Sequence, residues 1–148
     1  MTRQADGPLP ALPCACANLR RAARAVTRVY NRELRATGLE LTQYTLLMAL
    51  NVTGETTQGG LGRLLALDTT TLTRMLRPLT KRGWIAAQPG DDRRERRLRL
   101  TAWGRRKLGQ SRRHWQRAQE GLRQGLGEPT WSQMGKLLAE VTRVSAEV

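Results

Sequence analysis

The sequence is poor in several of the residues from which cores and reactive sites are built. Among its 148 residues there is no phenylalanine, only 4% are aromatic, and there are two cysteines and one histidine. A core without phenylalanine must come from leucine, valine, alanine and methionine, a composition that favours helices. Two cysteines do not make a disulfide framework, and one histidine argues against a dedicated zinc site. We therefore expect neither a metal nor another cofactor.

Long apolar runs are also missing. No segment is long and apolar enough to span a bilayer, and no charged-then-apolar signal peptide opens the chain, which predicts a cytoplasmic protein. The segment GETTQGGLGR at 54–63 lacks the Lys-Ser/Thr of a phosphate-binding loop and follows no predicted strand. With no histidine cluster and no nucleophile beside a base, the pattern predicts a protein that is not an enzyme.

Acidic residues are few, and the resulting charge is the main compositional signal. Twelve Asp or Glu accompany 26 Lys or Arg, for a net charge of +14. Residues 63–117 hold 16 basic and four acidic residues, whereas the rest of the chain holds ten and eight. A charge so large and so concentrated implies a polyanionic partner. Nucleic acid is favoured over an anionic membrane, because no basic helix exposes large apolar residues.

Apolar spacing and capping residues predict mainly α structure with one β-hairpin. Helices are expected from 13 to 36, from 43 to 51 after a Thr42 cap, from Thr56 or Thr57 to 65, and from 69 to 82 after an Asp68 cap. Strands 84–88 and 96–100 follow. A long helix then begins after Thr101, and a last helix runs from 128–129 to the C-terminus, burying Trp131, Met134, Leu137, Leu138, Val141 and Val144.

The helix at 69–82 and the hairpin after it have a composition typical of DNA binding. Leu72, Met75, Leu76 and Leu79 form an apolar stripe, and the opposite face carries Thr70, Thr71, Arg74, Arg77 and Lys81. The hairpin segment DDRRERRLRLT places five arginines within 93–99. A helix fits the major groove, where base edges are distinguishable, and an arginine-bearing tip suits the minor groove. The pattern predicts a winged helix-turn-helix.

Three motifs in this order resemble the MarR family of transcriptional regulators. LTQYTLL (41–47) resembles the family's second helix, and LDTTTLTRMLRPLTKRGWI (67–85) resembles its recognition helix and first wing strand. DDRR followed by RLRLTAWGRRKL (91–108) resembles its wing and the Leu-Thr-x-x-Gly start of the next helix. Gly60 and Gly62 depart from the family pattern, because better helix formers usually stand there, and Gln88-Pro89-Gly90 makes an unusual turn into the wing.

The resemblance implies a homodimer that binds double-stranded DNA at a near-palindromic operator, and it implies repression. Residues 1–12 are then a mobile tail, 13–38 and 122–148 dimerisation helices, and 39–121 the winged domain with a long connecting helix. The resemblance assigns DNA contacts to Thr70, Thr71, Thr73, Arg74, Arg77, Asp92 and Arg94, with Arg93 beside them. In it, Asp92 holds Arg94 for the minor groove. Lys81 is added because it lies on the same face of the helix, and one or two phosphate contacts are expected among Arg96, Arg97 and Arg99. Whether Thr73 faces DNA or the helix interior stays open.

The two cysteines suggest a redox or ligand site that releases DNA. Cys16 stands where the organic-hydroperoxide-sensing branch of the family has its reactive cysteine, and Tyr30 stands where that branch has a partnering tyrosine. Leu41 and Arg20 replace two further tyrosines of that branch. The alternative is that Cys14 and Cys16 are small apolar fillers near a helix start. Because residues two apart on a helix diverge, a disulfide between them is not expected while the helix is intact.

Two further alternatives remain at the level of sequence. Tyr30 and Tyr44 either line a pocket for a small effector or belong to an ordinary core. The chain as a whole could instead be a non-specific nucleic-acid binder, either an RNA-binding or an architectural protein. Such a binder needs only phosphate contacts, whereas Thr70, Thr71 and Arg74 supply groups that read bases.

Overall fold

A computed structural model describes residues 10–147. In chain order the elements are α1 (Ala15–Leu34), α2 (Leu41–Thr53), β1 (Thr56–Thr57), α3 (Gln58–Leu65), α4 (Thr69–Lys81), β2 (Ile85–Pro89), β3 (Arg96–Leu100), α5 (Ala102–Leu126) and α6 (Glu128–Glu147). The expected fold class, mainly α with a hairpin wing, is confirmed. Residues 1–9 of the predicted mobile tail lie outside the described range.

Local capping explains where the helices begin. Asp68 and Thr101 each accept a backbone N–H from the first turn of the helix that follows, as predicted. Of the two threonines considered for the start of α3, Thr57 is the one that caps it. The predicted Thr42 cap of α2 is wrong. Glu40 and Gln43 form a capping box there, in which the Gln43 side-chain oxygen accepts from the Glu40 backbone N–H at 3.2 Å. This box satisfies two end groups of the helix and begins it two residues earlier.

The core lies where α2, α3 and α4 pack against a three-stranded antiparallel sheet of order β1-β3-β2. Leucines fill most of it, beside Tyr44, Ala49 and Ile85: Leu34, Leu39, Leu46, Leu47, Leu50, Leu61, Leu72, Leu76, Leu79, Leu98 and Leu100 are all buried. Valine and methionine, which the composition also predicted, are not among the buried residues of the described chain. The short strand β1 pairs Thr56 with Leu98 and Thr57 with Arg97. It was not predicted, because two residues have no detectable alternation.

Two buried glycines allow helices to approach backbone closely. A Cβ on Gly62 would lie 3.0 Å from the Leu67 carbonyl oxygen, where α3 turns toward α4. A Cβ on Gly104 would lie 2.1 Å from the Trp84 carbonyl oxygen, well inside contact distance. Gly62, which departs from the family pattern, thus relieves a tight contact at the close turn of this chain.

The terminal helices are organised differently from the core. α1 packs along α5, where the Tyr30 hydroxyl donates to the Gln119 side chain and Arg117 pairs with Glu33 at 3.1 Å. α6 contacts α5 but buries none of its residues in the described chain. The prediction that α6 buries its apolar stripe is wrong for one chain, since Leu137, Leu138, Val141 and Val144 are 42–64% exposed.

Candidate nucleic-acid interface

Helix α4 is held in place from its start and from its apolar side. The Asp68 carboxylate accepts the backbone N–H of Thr71 at 2.8 Å and the Thr71 hydroxyl at 2.7 Å. These bonds, the hydroxyl bond first, lower the pKa of Asp68 below its ordinary value of 3.8. Leu72, Leu76 and Leu79 are buried against the rest of the domain. The polar face of α4 is therefore presented outward in a fixed orientation.

The exposed face of α4 carries the predicted contact residues at helical spacing. Thr70, Thr73, Arg74, Arg77 and Lys81 are all exposed. They follow the i, i+3, i+4, i+7 pattern that places residues on one side of a helix. This answers the question left open for Thr73, which faces outward. Thr71 differs, since it is half-buried and its hydroxyl is donated to Asp68.

The wing tip is a tight turn built by backbone hydrogen bonds. Gly90 N–H donates to the Glu95 carbonyl oxygen at 2.8 Å, and Glu95 N–H donates to the Asp92 carbonyl oxygen at 2.9 Å. The Asp92 carboxylate accepts the backbone N–H of Arg94 at 3.0 Å. Asp92 thus holds Arg94 through the backbone. Both Arg93 and Arg94 are exposed at the tip.

A groove runs between α4 and the wing and is made of two cavities with shared walls. The first, about 710 Å³, is lined among others by Thr70, Arg74, Arg77, Lys81 and Arg96. The second, about 760 Å³, is lined among others by Asp92, Arg94 and Arg96, and both include Thr73. Eight of the ten predicted DNA-contact residues therefore line one basic groove, and Thr71 and Arg93 do not.

The sequence did not predict every residue of this groove, and Gln58 and Arg63 are two polar residues that it missed. Gln58 lines both cavities, and Arg63 lines the second. Arg63 could have been noticed as the one cation of α3. Gln58 had no sequence signal, because its place in the groove depends on how α3 crosses α4.

Comparison with known proteins gives the family of this fold. A profile of the MarR family matches residues 39–95. The crystal structure of the Mycobacterium tuberculosis regulator MosR in complex with DNA is 30% identical, covers 90% of this chain and 97% of its own, and superposes with a TM-score of 0.82. This chain belongs to the MarR family.

Two further comparisons give a related sequence and a shared fold. The HTH-type regulator YwoH of Bacillus subtilis is 30% identical over 83 residues, which are 56% of this chain. The match spans 61% of YwoH. A cysteine-to-serine mutant of Escherichia coli MarR, complexed with operator DNA, shares the fold at a TM-score of 0.76 and 23% identity, covering 85% of this chain and 91% of its own. The family is one of transcriptional regulators, not of enzymes.

The other arginines of this MarR-family wing have different surroundings. Arg97 Nε donates to Glu55 Oε1 at 2.8 Å and so ties β3 to the loop before β1. Arg99 lines a separate cavity of about 280 Å³ with Arg105, outside the groove. Of the three strand arginines, only Arg96 belongs to both cavities of the groove. The charge of the wing thus divides into a part that faces the groove and a part that lies outside it.

The predicted redox or ligand residues are not brought together within one chain. Cys14 caps α1, its sulfur accepting the Ala17 N–H at 3.5 Å, and both Cys14 and Cys16 are free and exposed. Cys16 and Tyr30 lie on the same helix, about 21 Å apart along its axis. Tyr30 is buried, and burial raises its pKa above 10.0. A contact between Cys16 and Tyr30 would need a second chain.

Tyr44 occupies the interior of the domain. Its ring stacks on Trp115 with centroids 5.8 Å apart and is 3% exposed. Burial raises the pKa of Tyr44 above its ordinary value, and nearby Arg112 opposes this. Among residues 10–147, no cluster of three or more His, Cys, Asp or Glu side chains is placed to hold a metal ion. In the same range no helix is both long and apolar enough to cross a membrane.

Proposed function

We propose that this protein is a sequence-specific, double-stranded DNA-binding repressor that acts as a homodimer. The observation that carries the proposal is the basic groove between α4 and the wing. Its walls combine cations for phosphates with threonine and arginine side chains for base edges. The MosR structure in complex with DNA and the MarR structure with operator DNA have the same fold. A DNA target also agrees with the cytoplasmic location expected from the sequence.

In this proposal α4 enters the major groove and the wing reaches the adjacent minor groove. Arg74 and Arg77, on the exposed face of α4, supply the fork that reads guanine. Arg94, at the exposed wing tip, supplies the cation for the negative potential of the minor groove. Arg96, between them, contacts the phosphate backbone.

The homodimer is proposed from the exposed apolar surface of the terminal helices. Leu137, Leu138, Val141 and Val144 on α6, with Leu19 on α1, are exposed leucines and valines whose transfer from water is favourable. Residues 13–38 and 122–148 would supply this dimer contact, and 39–121 the DNA contact. The division at 121 falls within α5, which is continuous from Ala102 to Leu126 and so joins the two parts rigidly.

Release from DNA would follow from a change in the spacing of the two α4 helices. Two half-sites lie about 34–36 Å apart along the duplex, so a dimer in another arrangement fits poorly. Oxidation of Cys16, which is a free thiol, is the trigger we propose, and a small ligand near Tyr30 and Tyr44 is the alternative. An organic hydroperoxide would oxidise the Cys16 thiol to a sulfenic acid and would itself be reduced to the alcohol.

The redox step is tested by DNA binding before and after mild treatment with an organic hydroperoxide. Wild type is expected to lose affinity and Cys16→Ser to keep it, with Cys14→Ser as the neighbouring control. Equal loss in wild type and in Cys16→Ser would remove oxidation of Cys16 from the mechanism and leave a small ligand as the candidate effector.

Selection from a random duplex DNA pool at about 150 mM salt tests the function itself. Salt is needed because at low ionic strength a charge of +14 binds any polyanion. We expect enrichment of an inverted repeat with half-site centres about 10 bp apart. Binding that tracks only length, or that prefers RNA, would instead identify a non-specific nucleic-acid binder.

A further inference from the structure

A side-chain hydrogen bond joins the start of α3 to the exposed face of α4 inside the groove. Gln58 Nε2 donates to Thr73 Oγ1 at 2.7 Å. Gln58 is half-buried, whereas Thr73 is exposed, and both line the two cavities between α4 and the wing. This bond therefore lies at the centre of the surface proposed to meet DNA.

The direction of the hydrogen bonds determines what Thr73 offers to a ligand. The Thr73 hydroxyl donates its single hydrogen to the Thr69 carbonyl oxygen at 2.8 Å. The Gln58 amide then donates to the same Thr73 oxygen. Because the hydrogen is used and the oxygen is engaged twice, the side chain is fixed in one rotamer. What remains for the groove is mainly the methyl group of Thr73.

We propose that Thr73 reads a thymine through its methyl group and that Gln58 is the positioning residue that fixes this contact. Among the bases of DNA, thymine alone presents a C5 methyl group in the major groove, and a threonine methyl makes a suitable apolar partner. The inference rests on the proposed function and adds a specificity to it. Thr70, Arg74 and Arg77 on the same face retain side-chain donors for hydrogen-bonded readout.

The test uses an operator obtained by selection and removes one methyl group at a time. Each thymine of a half-site is replaced by deoxyuridine, which differs from thymidine only in lacking the C5 methyl. Burial of one methyl-sized group corresponds to about a fourfold change in affinity. We expect one position at which deoxyuridine weakens the wild-type protein about fourfold per half-site.

Protein variants identify the residue that senses the missing methyl group. Thr73→Ser keeps both hydrogen bonds and loses the methyl, so the deoxyuridine effect at that position should disappear. Gln58→Met keeps side-chain length and loses the donor, so the effect should shrink while the thermal midpoint stays unchanged. Thr53→Ser, which has the same bond to the carbonyl four residues back, and exposed Gln110→Met serve as controls.

The outcomes separate this inference from the proposed function. If wild type enriches an inverted repeat but Thr73→Ser and wild type respond equally to deoxyuridine at every position, the thymine contact is wrong and the repressor proposal stands. If Thr73→Ser loses the response and Gln58→Met retains all of it, the positioning role of Gln58 is wrong. A selection that enriches no motif overturns both proposals.

Discussion

Helices α4 and α6 have similarly spaced apolar residues, but those residues are buried in α4 and exposed in α6. In α4, Leu72, Leu76 and Leu79 are buried by α2, α3 and the sheet of the same chain. In α6, Leu137, Leu138, Val141 and Val144 remain largely exposed in the described residues. Periodicity thus identifies the apolar face of a helix and leaves open which surface covers it. For α4 the cover is this chain, and for α6 the proposed cover is a second chain.

The polar faces of the two helices also differ, because the charges on α6 are paired and the cations on α4 have no acidic partner within the helix. On α6, Arg143 pairs with Glu140 at 2.6 Å and with Glu147 at 2.8 Å, so its charges are balanced locally. On α4, the groove-facing cations Arg74, Arg77 and Lys81 have no acidic residue within α4 itself. Exposed pairs such as those of α6 add little stability. The paired charges leave α6 suited to an apolar partner, whereas the excess of cations leaves α4 suited to a polyanion.

Truncation of the buried face of α4 should have the largest effect. Leu79 is fully buried, so Leu79→Ala is expected to lower the free energy of unfolding by about 2–5 kcal/mol through lost burial and the cavity left behind. The loss should be the same at every protein concentration, because the contacts are within one chain. Denaturant titration at two concentrations measures it. A loss that depended on concentration would place Leu79 at an interface.

Adding a side chain at Gly104, which lies close to another part of the backbone, should have the next largest effect on stability. An added Cβ would meet the Trp84 carbonyl oxygen at 2.1 Å, so Gly104→Ala should destabilise the winged domain by about 3 kcal/mol. Gly109 lies on the same helix with no atom within 4 Å of an added Cβ, and Gly109→Ala should stabilise the protein by up to about 1 kcal/mol. Urea unfolding of both variants tests the contrast. Equal effects would mean that the start of α5 does not approach the Trp84 carbonyl group this closely.

The fold was predictable because its signals are local. Caps at Thr57, Asp68 and Thr101 and the stripe of α4 each depend on a few neighbouring residues. What could not be predicted depends on contacts distant in sequence, such as the pairing of β1 with β3. The same holds for the site: the face of α4 follows from helical spacing, whereas Gln58 enters the groove only through the crossing of α3 and α4.

Truncation of the exposed apolar residues of α6 should weaken the proposed dimer and leave the fold of each chain intact. Leu138→Ala combined with Val141→Ala should raise the dissociation constant of the dimer about a hundredfold, which corresponds to about 2.7 kcal/mol. The unfolding midpoint of the variant should then fall at low protein concentration and recover at high concentration. Sedimentation equilibrium measures the association directly. A single species of unchanged mass in wild type and variant would exclude the stripe as the dimer contact.

Substitutions at the wing tip should have a smaller effect, and they test whether the tip contacts DNA. Arg94 lines the groove and Arg93 beside it does not, although both are exposed. Arg94→Ala should cost about 1–3 kcal/mol of operator binding at physiological salt, and Arg93→Ala should cost less. Fluorescence anisotropy with the selected operator gives both values. Equal losses would mean that the tip contributes only general charge, and no loss for Arg94 would refute its assignment.

The smallest expected effect concerns the one carboxylate that caps α4. The Thr71 hydroxyl bond lowers the folded-state pKa of Asp68 below 3.8, so the ionised carboxylate stabilises the fold above the unfolded-state pKa. That contribution is lost as the pH falls through the lower, folded-state pKa. An asparagine in place of this aspartate would cap the helix without titrating. The thermal midpoint of wild type should therefore exceed that of Asp68→Asn at pH 7, and the gap should shrink below about pH 4.

The difference between wild type and Asp68→Asn isolates this cap, because the other acids titrate equally in both proteins. A gap that is constant down to pH 3 would show that the Asp68 charge contributes nothing. In that case the hydrogen bonds between Asp68 and Thr71 would hold the start of α4 without a contribution from the charge.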